Sequence, residues 1–218
     1  VIAKARAVAA RLLQAAPDDI GFDAGRFAAS DGRCVDLLAV AAAAREFDTS
    51  LDTRAENVCD VFTFPNGAHV AEVEVDPATG AVTLERYLAV DDFGRVINPL
   101  LTAGQVQGGV AQGIGQAMLE RTAYDPQSGQ LLSGSLMDYA LPRADTLPAI
   151  EVTLAGEPSG ANPLGVKGSG QAGAMAAPQT VINAILDALA PLGVAGLDMP
   201  ATPEAVWRAI RSAGPEQT

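Results

Sequence analysis

Five glycines inside one helical segment constrain this chain more than any other feature. Residues 100–121 follow an Asn98-Pro99 helix start and read as a helix, yet they contain Gly104, Gly108, Gly109, Gly113 and Gly115. Each glycine costs about 1 kcal/mol against alanine in a helix interior. A helix that keeps five needs a compensating contact, either another backbone at close range or a cofactor lying along it. Gln105, Gln107, Gln112 and Gln116 sit on or beside the same segment. A carboxamide offers donors and an acceptor, which suits the uncharged polar edge of a cofactor. Surface glutamines are ordinary on helices, and two or more of the four read that way. Gln105, between Gly104 and the rest of the glycine run, is the one expected to face a ligand.

A second glycine cluster lies in residues 162–173, N-P-L-G-V-K-G-S-G-Q-A-G, which has four glycines and runs into an apolar helical segment. Glycine lets a ligand approach the main chain, and a helix start leaves N–H groups without intrahelical partners. Gly168 to Gly173 spells G-x-G-x-x-G, but it lies late in the chain and outside a βαβ unit, which argues against a dinucleotide fold. G-x-x-x-x-G-K-[ST] is absent. Lys167 is one of only two lysines, the other being Lys4. Its ammonium either pins the loop or meets a polar ligand.

The rest of the pattern predicts an α+β fold with mixed sheets, hairpins and packed helices. Residues 1–16 are basic, alanine-rich and amphipathic, superficially like a transit peptide. They stop at Pro17-Asp18-Asp19 and read instead as a first helix, and Val1 in place of methionine suggests a fragment whose upstream part is missing. Residues 20–29 read as a short hairpin around Gly25, residues 35–47 as a second helix and residues 49–59 as a polar loop. Residues 68–75 and 81–90 alternate around Asp76-Pro77-Ala78-Thr79-Gly80, a clear hairpin signal. Asp125-Pro126-Gln127-Ser128-Gly129 is another turn, and residues 136–141 and 149–154 read as strands. Helices are expected at 174–190 and after the Thr202-Pro203-Glu204 cap. Irregularly interleaved strands and helices argue against a doubly wound parallel sheet.

Composition removes several classes of function. Hydrophobic residues make up 49% and charged residues 18%, which fits a folded chain rather than a disordered one. A net charge of -12 argues against nucleic-acid binding. No apolar run is long enough to span a bilayer. Cys34 and Cys59 have apolar neighbours and read as buried free thiols. With His69 as the only histidine, the chain lacks a good set of zinc ligands, and no G-x-S-x-G elbow supports a serine triad. Arg143 is expected to pair with an acid such as Asp138 or Asp145.

Taken in order, G-R-V-I-N-P, G-Q-V-Q-G-G-V-A-Q-G-I-G-Q-A, M-D-Y-A-L-P-R-A, N-P-L-G-V-K-G-S-G-Q-A-G and D-M-P-A-T-P-E resemble the C-terminal part of the molybdenum-binding large subunit of the xanthine dehydrogenase, aldehyde oxidase and carbon monoxide dehydrogenase family. The resemblance covers nearly the whole chain, so residues 1–218 are expected to form a C-terminal molybdenum-cofactor-binding domain, from a longer subunit or a split gene. It implies a molybdenum–pterin cofactor, in bacteria usually the cytosine dinucleotide form. It implies oxidation of an aldehyde, purine or related heterocycle with oxygen from water. Iron–sulfur clusters and FAD on partner subunits would carry the electrons away. The upstream part of the molybdenum subunit would be a further partner, and the expected location is the cytoplasm, or the periplasm as in some members.

By the same resemblance, Gln105 lies in a cofactor-binding segment and Gly170 approaches the metal's ligands. Gln112, Lys167 and Ser169 join them as expected cofactor contacts, and no residue here is expected to ligate the metal directly. Gln171 occupies the position of the family's general-base glutamate. A carboxamide cannot take up a proton near neutral pH, although it can orient water or substrate. Three explanations stand: a subgroup that uses another base or none, a non-catalytic scaffold, or a substituted residue. The intact loop favours the first. With the upstream loops missing, the chain alone is expected to bind the cofactor weakly or not at all.

Overall fold

The computed structural model describes residues 1–56, 58 and 61–213, which divide into two compact units, Val1–Val58 and Cys59–Thr218. In the first, α1 (Ile2–Leu13) and α2 (Leu37–Glu46) pack with an antiparallel meander of β1 (Ile20–Asp23), β2 (Arg26–Ala29) and β3 (Cys34–Asp36). The spacing of Ala5, Val8, Ala9 and Leu13 gives α1 one apolar face, which closes on Phe27 and Val40. Gly25, at φ 80°, makes the β1–β2 turn. The second helix starts two residues later than its sequence pattern suggests. Asp36 accepts a 2.7 Å hydrogen bond from the Ala39 N–H, and that cap ends β3 and starts α2. Cys34 is a free thiol but exposed, a correction to the expected burial. Its place on short β3 sets it beside Ala28 rather than among the core side chains. Cys59 and the end of the 49–59 loop lie outside the described residues.

The second unit is built on the mixed sheet β4 (Asn66–Val75), β5 (Val82–Asp92) and β6 (Ile150–Ala155), in that order, with β4–β5 antiparallel and β5–β6 parallel. The β4–β5 turn forms as expected. Asp76 accepts from the Ala78 N–H and the Thr79 hydroxyl, and Gly80 takes φ 75°. A bulge then shifts the register between Glu72 and Val73. Leu84 faces the core before it, and Tyr87, Ala89 and Asp91 face the core after it. The bulge therefore turns Asp91 inward and Asp92 to the other side.

Two long helices pack with this sheet, α3 (Pro99–Met118) and α4 (Ala172–Leu189), and α5 (Pro203–Ala213) closes the core through Val206. Asn98 caps α3 by accepting from the Leu101 N–H, and Pro99 stands at its first position. Pro178 is held inside α4, buried against α3. Residues 136–141 are not a strand, which corrects the reading of their apolar residues. The Ser135 hydroxyl donates to Asp138, and the Asp138 and Tyr139 N–H groups bond to the Ser135 carbonyl, so local turn bonds replace a ladder. Leu136 and Met137 stay exposed there. Arg143 makes no ion pair among the described residues. Its N–H and carbonyl instead bond to the Thr146 hydroxyl in a short 3-10 turn.

Candidate functional site

One of the five glycines of α3, Gly115, is buried against Glu120 and Pro142, and the other four separate onto two faces. On one, a Cβ added to Gly109 would stand 2.8 Å from the Ala174 nitrogen, and one on Gly113 would stand 2.8 Å from Pro178 Cδ. From the other side, a Cβ on Gly173 would stand 2.7 Å from the Val110 nitrogen. Backbone meets backbone here, which is the first of the two reasons a glycine-studded helix can have. On the other face, Gly104 and Gly108 have no atom within 4 Å of an added Cβ, and neither do Gly168 and Gly170 in the loop.

Gln105 lies on this open face, and its Nε2 donates to the Gly170 carbonyl at 2.6 Å. The bond fastens the loop to α3 and leaves the Gln105 carbonyl and a second N–H for another group. Gln112 is exposed two turns further along, about 10 Å from Gln105 at the rise of an α-helix. Gln107 and Gln116 are engaged elsewhere: Gln107 donates to the Ile150 carbonyl at 3.2 Å, and Gln116 touches Met199 Sδ at 3.9 Å. Ser169 is half-buried in the loop.

Gln171 is the N-cap residue of α4. Its backbone carbonyl accepts from Met175 at 3.0 Å, but its side chain makes no capping bond and is exposed. The amide is therefore not used by the helix it precedes. The first N–H groups of α4 have no intrahelical partners.

Lys167 donates to Asp92, whose other oxygen accepts the Gly94 N–H at 2.7 Å. The Lys167 ammonium, and then the Gly94 N–H, hold the Asp92 carboxyl below the usual carboxylate range. The backbone is pinned as well: Lys167 N–H to the Phe93 carbonyl at 2.9 Å and Arg95 N–H to the Gly165 carbonyl at 2.8 Å. Asn162 closes the loop by accepting from the Val166 N–H and donating to the Val166 carbonyl. Asp92 and Asn162 escape a motif search, because Asp92 sits at a strand end and Asn162 acts as a turn residue. The pairing of Lys167 with Asp92, 75 residues earlier in the chain, has no local signal.

This donor set fits a large polar cofactor. It combines carboxamides, unpaired helix N–H groups and bare glycine backbone, and residues 162–173 contain no acid to repel phosphate. Among the described residues, no cluster of histidine, cysteine or acids could hold a metal ion directly. No helix among them is long and apolar enough to cross a membrane.

Comparison with known proteins places the chain in a family. A family described as a molybdopterin cofactor-binding domain matches residues 1–148. The chain is 38% identical over 217 residues to the nicotine 6-hydroxylase large subunit of Paenarthrobacter nicotinovorans, covering 94% of this chain and 26% of that protein. It is 34% identical to the carbon monoxide dehydrogenase large chain of Hydrogenophaga pseudoflava, covering 96% of this chain and 27% of that one. The crystal structure of quinoline 2-oxidoreductase from Pseudomonas putida 86 superposes with a TM-score of 0.81 at 34% identity, over 97% of this chain and 28% of that one. The chain belongs to the molybdopterin cofactor-binding domain family of molybdenum-enzyme large subunits. It spans about a quarter of the length of the curated relatives it matches.

Proposed function

We propose that this chain forms one wall of the active site of a molybdenum hydroxylase, with its open α3 face and glycine loop turned toward the cofactor. The observation that carries the reading is the bond from Gln105 to Gly170, set among four glycines with nothing beside them. When bound, the molybdenum–pterin group, in its cytosine dinucleotide form, supplies two-electron oxidation of a carbon centre with oxygen from water. Gln105 and Gln112 donate to its polar edge, Gly170 and Ser169 let it approach the main chain, and Lys167 holds the loop at the right height. Gln171 orients substrate or water through its amide, and the proton is taken by a group outside this chain.

The missing walls come from the rest of a large subunit. Phe62, Phe64, Leu100, Leu101, Met137 and Met175 are all more than two-thirds exposed, which supports apolar contact with further chain. Electrons leave through iron–sulfur and flavin groups on partner subunits, and the assembly works in the cytoplasm. The substrate is an aldehyde, a purine or a related heterocycle. Coexpression with an upstream large-subunit region, then metal analysis and an oxidation assay on aldehydes and purines, tests this. Molybdenum and turnover are expected from the assembly, and stoichiometric molybdenum is not expected in the chain purified alone. An assembly with neither metal nor turnover would overturn the reading.

Gln171 itself favours a second reading, a scaffold that keeps the fold without the chemistry. Replacement Gln171→Glu separates the two. On the first reading the assembled natural protein turns over and the glutamate slows or redirects it. Turnover by the glutamate form alone would favour the scaffold.

A further inference from the structure

The ends of β4 and β5 hold a buried polar chain that the site does not use. His69 Nδ1 lies 2.9 Å from the Tyr87 hydroxyl, and His69 Nε2 lies 3.2 Å from Asp91 Oδ1. The side chains of His69 and Asp91 are 2% and 4% exposed, and Asp91 is the charged residue buried in the core. The Tyr87 ring meets His69 edge-on and is buried in one cluster with Ala177 and Val181 of α4, where the Thr180 hydroxyl donates to the Ala176 carbonyl. Gly67 leaves room for this: a Cβ there would stand 2.7 Å from the Val90 carbonyl and against the Asp91 carboxylate. A cavity of about 150 Å³ lies over the pair, between Asn66, Gly67, His69 and Asp91 on the sheet and Ala172 and Met175 on the first turn of α4. Buried polar groups of this kind are expensive unless every partner is in place, so His69, Tyr87 and Asp91 fix one arrangement of β4 on β5 beneath the first turns of α4.

The next residue does the same for the loop. Asp92, on the opposite side of the strand, takes Lys167 and the Gly94 N–H. Gly170 and Gln171 lie between the two anchored segments, three and four residues after Lys167 and immediately before Ala172. We infer that the adjacent carboxylates Asp91 and Asp92 form a two-sided clamp: one holds the first turns of α4 through His69 and Tyr87, the other holds the glycine loop through Lys167, and together they set where Gln171 stands. His69, Tyr87, Asp91 and Asp92 are positioning residues and touch no reacting atom. The pleat of the strand points the two carboxylates to opposite sides, and the bulge in β5 decides which of them faces the core. That these residues serve catalysis rests on the hydroxylase reading, whereas the clamp on the backbone does not.

Amide hydrogen exchange and steady-state kinetics on the assembled protein test both parts. In His69→Phe, the amides of residues 173–176 exchange at least ~10-fold faster. In Lys167→Met, the Val166 and Lys167 amides do so, each change leaving the Leu119 amide at the end of α3 as in the wild type. The conservative His69→Gln, which keeps a donor and an acceptor, restores most of the protection. With active protein, kcat falls on the order of tenfold to a hundredfold in His69→Phe while KM and molybdenum content stay near wild type, as expected from misplacing an orienting group. Exchange unchanged in both variants would overturn the clamp, as would acceleration spread evenly over the whole second unit. Local exchange changes in the two variants, together with a wild-type assembly that holds no molybdenum, would keep the clamp and sink the hydroxylase reading.

Discussion

The two faces of α3 use the same residue type for different ends. Gly109 and Gly113 disappear under α4, where even a methyl group would strike backbone or proline atoms. Gly104 and Gly108, four residues apart on the same helix, face open space. Glycine's helix penalty is the same on both faces, yet Gly104 and Gly108 recover none of it through packing within this chain. On the proposed reading, the second face is where the cofactor comes close. Gln105 bridges from that face to the loop, so the open face and the loop act as one surface.

The largest effect that could break this comparison lies on the packed face. Gly173→Ala should destabilise the second unit by about 3 kcal/mol, because its methyl would meet the Val110 nitrogen and the Val106 carbonyl and could be relieved only by moving a helix. Denaturant unfolding measures this. A loss under about 0.5 kcal/mol, the range of neutral surface changes, would mean that the helices are not in close contact.

A smaller effect of opposite sign is expected on the open face. Gly108→Ala should raise the stability of the chain by up to about 1 kcal/mol, since alanine is the better helix former and nothing crowds it. The same variant should lower pterin and molybdenum content in the assembled protein. A variant that is more stable and fully loaded would show that the open glycines serve neither cofactor nor partner.

How much of this could be read from residue order differs between the same two faces. The helices, the β4–β5 hairpin and its Asp76–Gly80 turn follow from local spacing and turn chemistry, and the structure has them at nearly the expected bounds. The glycine excess in α3 was equally visible, but not its division into two faces, because the partner of Gly109 lies in α4, over sixty residues away. Residues 136–141 misled by composition: their leucines suit a strand, but Ser135 and Asp138 form a turn with their own backbone. Asp91 and Asp92 look alike as neighbours in sequence. Only the bulge between Glu72 and Val73 decides which is buried with His69 and which meets Lys167. Gln171 was legible as an amide where an acid is expected, and the structure adds that no helix cap claims its side chain.

The smallest effect separates the faces by the forces that hold them. The α3–α4 contact is glycine, alanine and proline, with nothing to titrate, whereas the loop is held in part by Lys167 on Asp92, side chains 15% and 26% exposed. The Asp92 carboxyl is held below its usual range in the folded state, first by Lys167 and then by the Gly94 N–H. A depressed carboxyl stabilises the fold above its unfolded value of about 3.9, and the contribution is lost as pH falls through the lower folded value. The stability difference between wild type and Lys167→Met should therefore stay constant from about pH 8 to 5 and shrink below about pH 4. The difference between wild type and Gly173→Ala should show no such convergence, because a steric clash does not titrate. Two parallel curves for Lys167→Met down to the acid limit would mean that the ion pair adds nothing to the loop, and that its backbone bonds to Phe93 and Arg95 hold it alone.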